Sequence, residues 1–165
     1  MSRWKRRFNI IEKKEKRKGK NTCTRTDFQE CRQDMTDDFL KKVFEHLQSK
    51  LEDGESLYRL RACNCDGFMK LKDGNILIEI KGGELNWGYQ CTAITELIIG
   101  SKLVRDRWNE IANEHWIIAK DFTSGQGWDR TLDYPLETHR FIKDAIGFEI
   151  HLLQFKDGQL IEIVS

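Results

Sequence analysis

The sequence lacks the features that would place it in a membrane, on an export route or in a disulfide scaffold. No apolar run in its 165 residues reaches the roughly 20 residues that cross a bilayer as a helix. No hydrophobic signal-peptide core follows the N-terminal charges, so the expected location is the cytoplasm. Five cysteines, Cys23, Cys31, Cys63, Cys65 and Cys91, are odd in number and contain no C-x2-C pair. A reducing compartment accounts for them more simply than a disulfide framework. Cys23, Cys31, Cys63 and Cys65 would supply four thiolates to zinc, but without the usual spacing they read as small buried hydrophobes. The histidines, His46, His115, His139 and His151, show no H-x-x-H or zincin spacing and read as surface or internally bonded residues. Glycine-rich phosphate loops, nucleophile elbows and Cys–His pairs are missing too. Classes of enzyme that depend on those devices are thereby set aside.

What is present begins with an asymmetry of charge. Residues 1–20 hold ten Lys or Arg against Glu12 and Glu15, a local net of +8 that leaves −7 for the rest of a chain whose total is +1. Residues 1–22 therefore read as a basic arm, separable from a single domain over 23–165. Arg3, Lys5, Arg6, Arg7, Lys13 and Lys14 are its candidate nucleic-acid contacts, giving salt-sensitive affinity without sequence preference. The alternative is a solvated tail. Trp4, Phe8, Ile10 and Ile11 interleave with the charges and offer apolar anchors for docking or stacking.

The stretch Asp66–Lys81, DGFMKLKDGNILIEIK, carries the chemistry. Asp73-Gly74 is a strong two-residue hairpin signal. Placing it at the centre of the turn pairs Lys72 with Asn75, Phe68 with Glu79 and Asp66 with Lys81. Alternation along each strand then puts Asp66, Glu79 and Lys81 on one face and Met69, Leu71, Ile76, Ile78 and Ile80 on the other. Diagonal neighbours on such a face lie about 7–8 Å apart, close enough for Asp66 and Glu79 to converge on one hard cation. Mg2+ or Mn2+ takes oxygen ligands, often one or two carboxylates with waters and phosphate oxygens completing the shell. A lysine beside them stabilises charge developing on a phosphorane.

Elsewhere the period is mixed. Phe39, Leu40, Val43, Phe44, Leu47 and Leu51 form a helical stripe, with Thr36, Asp37 and Asp38 as its N-terminus and an earlier turn or helix over Thr26–Gln33. Ser56–Cys63 reads as a strand. Gly82-Gly83 permits a sharp turn before a helix over Trp87–Leu103, whose buried stripe is Tyr89, Ala93, Leu97 and also Ile94 and Ile98. Gln90 falls in its first turn. His115–Lys120 reads as a buried strand, Asp121–Arg130 as a loop and Leu136–Ile146 as a helix. A second hairpin runs over Phe148–Phe155 and Leu160–Val164 around Asp157-Gly158, with Lys156 and Glu162 expected at the surface.

Asp66 followed on the next strand by Glu79-Ile80-Lys81 resembles the D…(D/E)xK signature of the PD-(D/E)XK nuclease superfamily, with Cys65 where the name-giving proline often stands. The order of elements resembles it over roughly residues 36–120. The fold so implied is α/β (α+β), a restriction-endonuclease-like core in the order αβββαβ. In it a mixed sheet is flanked by helices, here with a C-terminal αββ extension. The resemblance implies a Mg2+- or Mn2+-dependent endo- or exodeoxyribonuclease with weak sequence preference. Asp66 and Glu79 would be its metal ligands and Lys81 its charge stabiliser. It also implies a role for Gln90 toward the scissile phosphate or a metal-bound water, although Ile94 stands where some relatives have the tyrosine of Q-x3-Y. A further acid from the first helix, Asp37, Glu45 or Glu52, would complete the site. DNA is the implied partner, with RNA and a homodimeric assembly left open. Rival readings are an RNA-cleaving toxin-type nuclease and a non-catalytic nucleic-acid- or protein-binding domain in which Lys81 merely pairs with Asp66 across the hairpin.

Overall fold

The computed structural model describes residues 3–14, 27–60, 65–85, 87–122, 144–145 and 147–164. A seven-stranded mixed sheet is its frame. In chain order the elements are α1 (Arg3–Arg7), β1 (Ile11–Lys14), α2 (Asp27–Gln48), β2 (Ser56–Arg59), β3 (Gly67–Leu71), β4 (Gly74–Leu85), α3 (Trp87–Trp108), β5 (Glu114–Phe122), β6 (Ile150–Lys156) and β7 (Gln159–Val164). From α2 to β5 this is the expected αβββαβ succession. The sheet order is β1-β7-β6-β5-β4-β3-β2. β2, β3 and β4 are antiparallel neighbours, β4, β5 and β6 run parallel, β7 returns antiparallel to β6, and β1 lies parallel to β7. Cys63, most of the Asp121–Arg130 loop and most of the expected Leu136–Ile146 helix lie outside the described residues. No helix among the described residues is long and apolar enough to cross a membrane.

The central strands are apolar on both faces because helices cover both, the usual state of parallel strands joined through helices. On one face Met69, Ile76, Ile78, Ile80, Trp116, Ile118 and Leu153 pack against Leu40, Val43 and Leu47 of α2. On the other, Phe68, Leu77, Ile117, Ala119 and Leu152 pack against Ala93, Ile94, Leu97 and Val104 of α3. Each large side chain so enclosed contributes about 1.5–3 kcal/mol of transfer free energy. The helical stripes read from the sequence are the packed ones, except that Ile98 stays 42% exposed. The earlier helical stretch, which the sequence leaves either separate from or continuous with the main helix, is continuous: α2 starts at Asp27 and passes through Thr36–Asp38; α3 runs on past the expected Leu103 to Trp108. Residues such as Gln29, Glu30, Arg32, Gln33 and Met35 are adequate helix formers, so nothing local forces a new start at Thr36.

The same dipeptide makes two different turns. Asp157 and Gly158 both have positive φ (50° and 72°) and occupy the turn centre between the paired Lys156 and Gln159, as expected. At the first hairpin the closing pair is Leu71 with Gly74, so Lys72 and Asp73 form the turn and Phe68 pairs with Leu77. This corrects the expected register by two residues. The cause is the connection from α3 to β5: the Asn75 amide donates to Asn113 Oδ1 at 2.8 Å, Asn113 N donates to Asn75 O at 2.8 Å, and Asn75 Nδ2 donates to Ile111 O at 3.0 Å. Asn75 is thereby held as strand. Gly74 has φ of 138°, and a Cβ there would lie 2.9 Å from Asn113 Oδ1, so the glycine serves this close approach. Gly82-Gly83 likewise makes no sharp turn: β4 continues to Leu85, with a register shift between Lys81 and Glu84 that marks a β-bulge.

The described part of the basic segment, residues 3–14, packs against the sheet. Phe8 and Ile10 are buried at 0% and 3% exposure, and Phe8 meets Trp116 edge to face at 5.3 Å. Arg7 reaches Lys50 O at 3.0 Å and grips the Glu55 carboxylate, whose pKa it holds down to about 2. Lys5 pairs with Glu12 at 3.1 Å and with Glu162. Glu162, expected at the surface, is instead 4% exposed, since β1 covers β7 and His151 Nδ1 lies 2.7 Å from its Oε1. Lys156 is exposed as expected. Phe8→Ala is therefore expected to cost roughly 3–5 kcal/mol of global stability. Urea denaturation followed by circular dichroism measures this; an unchanged midpoint would mean that the segment is not docked.

Candidate active site

Three elements bring the expected polar face together. Asp66 lies immediately before β3, Glu79 and Lys81 alternate out of β4 on the side facing α3, and α3 closes over them. A slip of two residues leaves every side chain on its own face, so the shared face survives the corrected register. Asp66 is tied to β4 twice: its amide donates to Ile78 O at 3.0 Å, and its Oδ2 accepts the Ile80 amide at 2.7 Å. Its backbone carbonyl accepts the Leu60 amide at 2.8 Å. The acid is thus pinned by main-chain bonds on both sides.

Lys81 does not pair with Asp66 as the simple cross-strand reading expects. Its Nζ lies 2.5 Å from Glu79 Oε1 and 2.5 Å from Oε2 of Glu96, a residue of α3 that the motif does not contain. Glu96 was missed because an isolated acid on a helix carries no spacing signal; its place three residues beyond the buried Ala93 is the one hint. The Cys65 thiol donates to the Glu96 carbonyl at 3.1 Å and so fastens that turn of α3 beside Asp66. Of the first-helix candidates, Glu45 and Glu52 are placed away from the site. Helix α2 covers the opposite face of the sheet, where Glu45 lies 3.9 Å from Lys41, while Glu52, beyond the helix end, lies 3.2 Å from Lys72. The Asp37 side chain lies outside the described residues.

The electrostatics follow from burial. Glu79 is 4% exposed, and desolvation, reinforced by the Asp66 charge, pushes its pKa well above the ordinary glutamate value despite Lys81. Asp66 is raised for the same first reason, against the pull of the Ile80 amide and Lys81. For Lys81, burial opposes the charge, but Glu79 and Glu96 together outweigh it and raise its pKa. Three carboxyl groups and one ammonium thus share a poorly hydrated space in which the carboxyls of Asp66 and Glu79 are held toward their protonated forms. An oxygen-preferring divalent cation fits that donor set. Among the described residues no group of three or more His, Cys, Asp or Glu side chains is arranged to hold a metal ion.

Gln90 is wholly buried on the sheet-facing side of α3, and its Nε2 and Oε1 have no hydrogen-bond partner among the described residues. It therefore bonds to neither Asp66, Glu79 nor Lys81 in this state. Of the basic candidates, Lys5 and Arg7 direct their charges into the domain, Arg6 is exposed, and the side chains of Arg3, Lys13 and Lys14 lie outside the described residues. His115 is a buried neutral histidine, lowered by burial to about 4 and stacked on Phe148 at 3.6 Å, with Ser101 Oγ 2.6 Å from its Nε2. Cys65 is buried and Cys91 exposed; Cys23, Cys31 and Cys63, needed for the zinc set, lie outside the described residues.

No protein-family model and no curated protein matches the chain. Among solved structures it is similar to EndoMS in complex with double-stranded DNA, at 14% identity and TM-score 0.42 over 72% of this chain and 44% of that one. It is similar also to a repair endonuclease from Pyrococcus abyssi, at 13% identity and TM-score 0.41 over 72% of this chain and 46% of that one. A third is SfsA from Pyrococcus furiosus in complex with Ca2+, at 19% identity and TM-score 0.36 over 76% and 61%. The chain spans less than half the length of the first two.

The raised Glu79 pKa fixes a sign for pH dependence. A carboxyl that binds its proton more tightly when folded stabilises the fold at low pH, and that contribution is lost as pH rises from the ordinary glutamate value through the folded one. Glu79→Gln removes the titration. In metal-free buffer the variant is expected to melt progressively higher relative to the native protein as pH goes from 5 to about 8. Paired thermal melts check this; a constant gap would show that Glu79 titrates normally.

Proposed function

We propose that the chain is a divalent-metal-dependent phosphodiesterase of the PD-(D/E)XK kind that hydrolyses nucleic acid, with DNA as substrate and weak sequence preference. The observation that carries this reading is the cluster itself: Asp66, Glu79 and Lys81 share one face of adjacent strands, Glu79 buried, Asp66 and Lys81 half-buried, with Asp66 held by main-chain bonds and Lys81 bonded to Glu79. Burying such groups is costly in a fold that does not use them. Asp66 and Glu79 would hold the ion. A divalent ion there supplies polarisation of a phosphoryl oxygen and a bound water of lowered pKa. Lys81 adds a positive charge that favours the phosphorane over the ground-state phosphate. Gln90, a buried amide with no partner among the described residues, supplies hydrogen-bonding capacity that water or substrate would satisfy. The β-bulge directly after Lys81 turns the strand where the charged face ends, a position at which such irregularities recur beside active sites.

One observation favours a second reading. Lys81 already neutralises Glu79 and Glu96, so the same cluster would serve a nucleic-acid-binding domain as an internal ion-pair network without catalysis. Cleavage assays separate the two. Single-stranded, linear duplex and branched DNA, with RNA in parallel, are incubated with the protein in Mg2+ or Mn2+. Cleavage is expected to need the metal, to vanish in Asp66→Ala and Glu79→Ala, and to fall by roughly 10²–10³ in Lys81→Ala. Cleavage of none of the substrates, or cleavage that survives both carboxylate changes, overturns the proposal. Retardation of DNA in a gel without product would mark the binding domain.

A further inference from the structure

Lys81 has two acceptors on two different elements, and that division has a use. An ammonium offers three N–H donors, so the 2.5 Å contacts with Glu79 Oε1 and Glu96 Oε2 are made together. Glu79 belongs to the same strand as the lysine and is closed off, with a side chain 6% exposed; the Glu96 side chain is 27% exposed and belongs to the helix above. The lysine therefore bridges an inner acid and an outer one. If the inner acid turns to a cation, the ammonium must leave it, and an ammonium left unpaired in a half-buried place, its side chain 16% exposed, is unfavourable. Glu96 is the group in place to keep it. Its position is not left to a flexible surface turn, since its own carbonyl accepts the thiol of Cys65, the residue next to Asp66.

We infer that Glu96 is a positioning residue that retains Lys81 when Glu79 binds the metal, lowering the competition between ammonium and cation for one carboxylate. This rests on the metal reading of Asp66 and Glu79 and deepens it. Glu96 is assigned no contact with the metal or with substrate. Without it, Lys81 has only Glu79 to pair with and holds that acid against the cation. With it, the lysine keeps a carboxylate partner when Glu79 turns to the cation.

The distinction between acting through Lys81 and acting directly is measurable without turnover. Mn2+ affinity is determined by calorimetry for the full chain, Glu96→Gln, Lys81→Met and the double variant, each shown to be folded by circular dichroism. Loss of Glu96 is expected to weaken Mn2+ binding about 10–100-fold when Lys81 is present, the usual effect of losing a partner one step removed from the metal. In the Lys81→Met background, it is expected to change nothing. Glu96→Asp, which keeps the charge, is expected to recover part of the affinity. An equal loss in both backgrounds would make Glu96 a ligand or a general source of negative field, and no loss in either would make it a bystander; both overturn the inference while leaving the metal site standing. Failure of the native chain to bind Mn2+ would remove the metal reading, and the role of Glu96 with it. Should Lys81→Met not fold, Lys81→Gln takes its place in the same cycle.

Discussion

A half-buried ammonium shared between two carboxylates is the interaction on which the organisation of this molecule turns. Strand β4 lies in the middle of a sheet covered on both faces, a place suited to Ile76, Leu77, Ile78 and Ile80 and hostile to charge. Glu79 and Lys81 occupy it nonetheless. They are tolerated because each has a partner at hydrogen-bonding distance and because α3 brings a third group, Glu96, to the same point. The helix is thus fixed to the sheet by apolar packing along Ala93, Ile94 and Leu97 and by a polar contact at its centre. Remove the polar contact and the packing would persist around an uncompensated charge.

Much of this was legible from residue order, and the reasons differ from feature to feature. The faces of the first hairpin were readable because alternation has a period of two; the error in its register was also two, which left Asp66, Glu79 and Lys81 where they were expected. The register was not readable, since Asn113, which decides it, lies far along the chain from Asn75. Asp157-Gly158 makes the expected turn, both residues at positive φ between the paired Lys156 and Gln159. Glu96 was invisible: its value comes from the geometry of α3 above β4, and a single glutamate in a helix looks the same whether it faces solvent or a lysine.

The basic N-terminal stretch shows how a charge count can hide an apolar anchor. Ten cations in twenty residues suggest a tail held out in water. Yet Phe8 and Ile10 carry the segment into the core, and the cations beside them find acids waiting: Glu162 for Lys5, Glu55 for Arg7. Two of the cations that seemed available to a polyanion, Lys5 and Arg7, are therefore matched within the fold. The acidic surplus of the rest of the chain has a structural use at the places where this segment docks.

Strand β1 pairs in parallel with β7, Ile11 against Ile161, so residues separated by nearly the whole described chain become neighbours. Closing so long a loop is entropically unfavourable, and only a surface already formed by the intervening strands can repay it. During synthesis the segment bearing Phe8 and Ile10 emerges early but has no strand to join until β7 has turned back beside β6. Until then its apolar side chains are exposed on a cationic peptide. The charges of Arg3 to Lys20 would keep such a waiting strand from pairing with a neighbouring copy, a protection needed only until the sheet is complete.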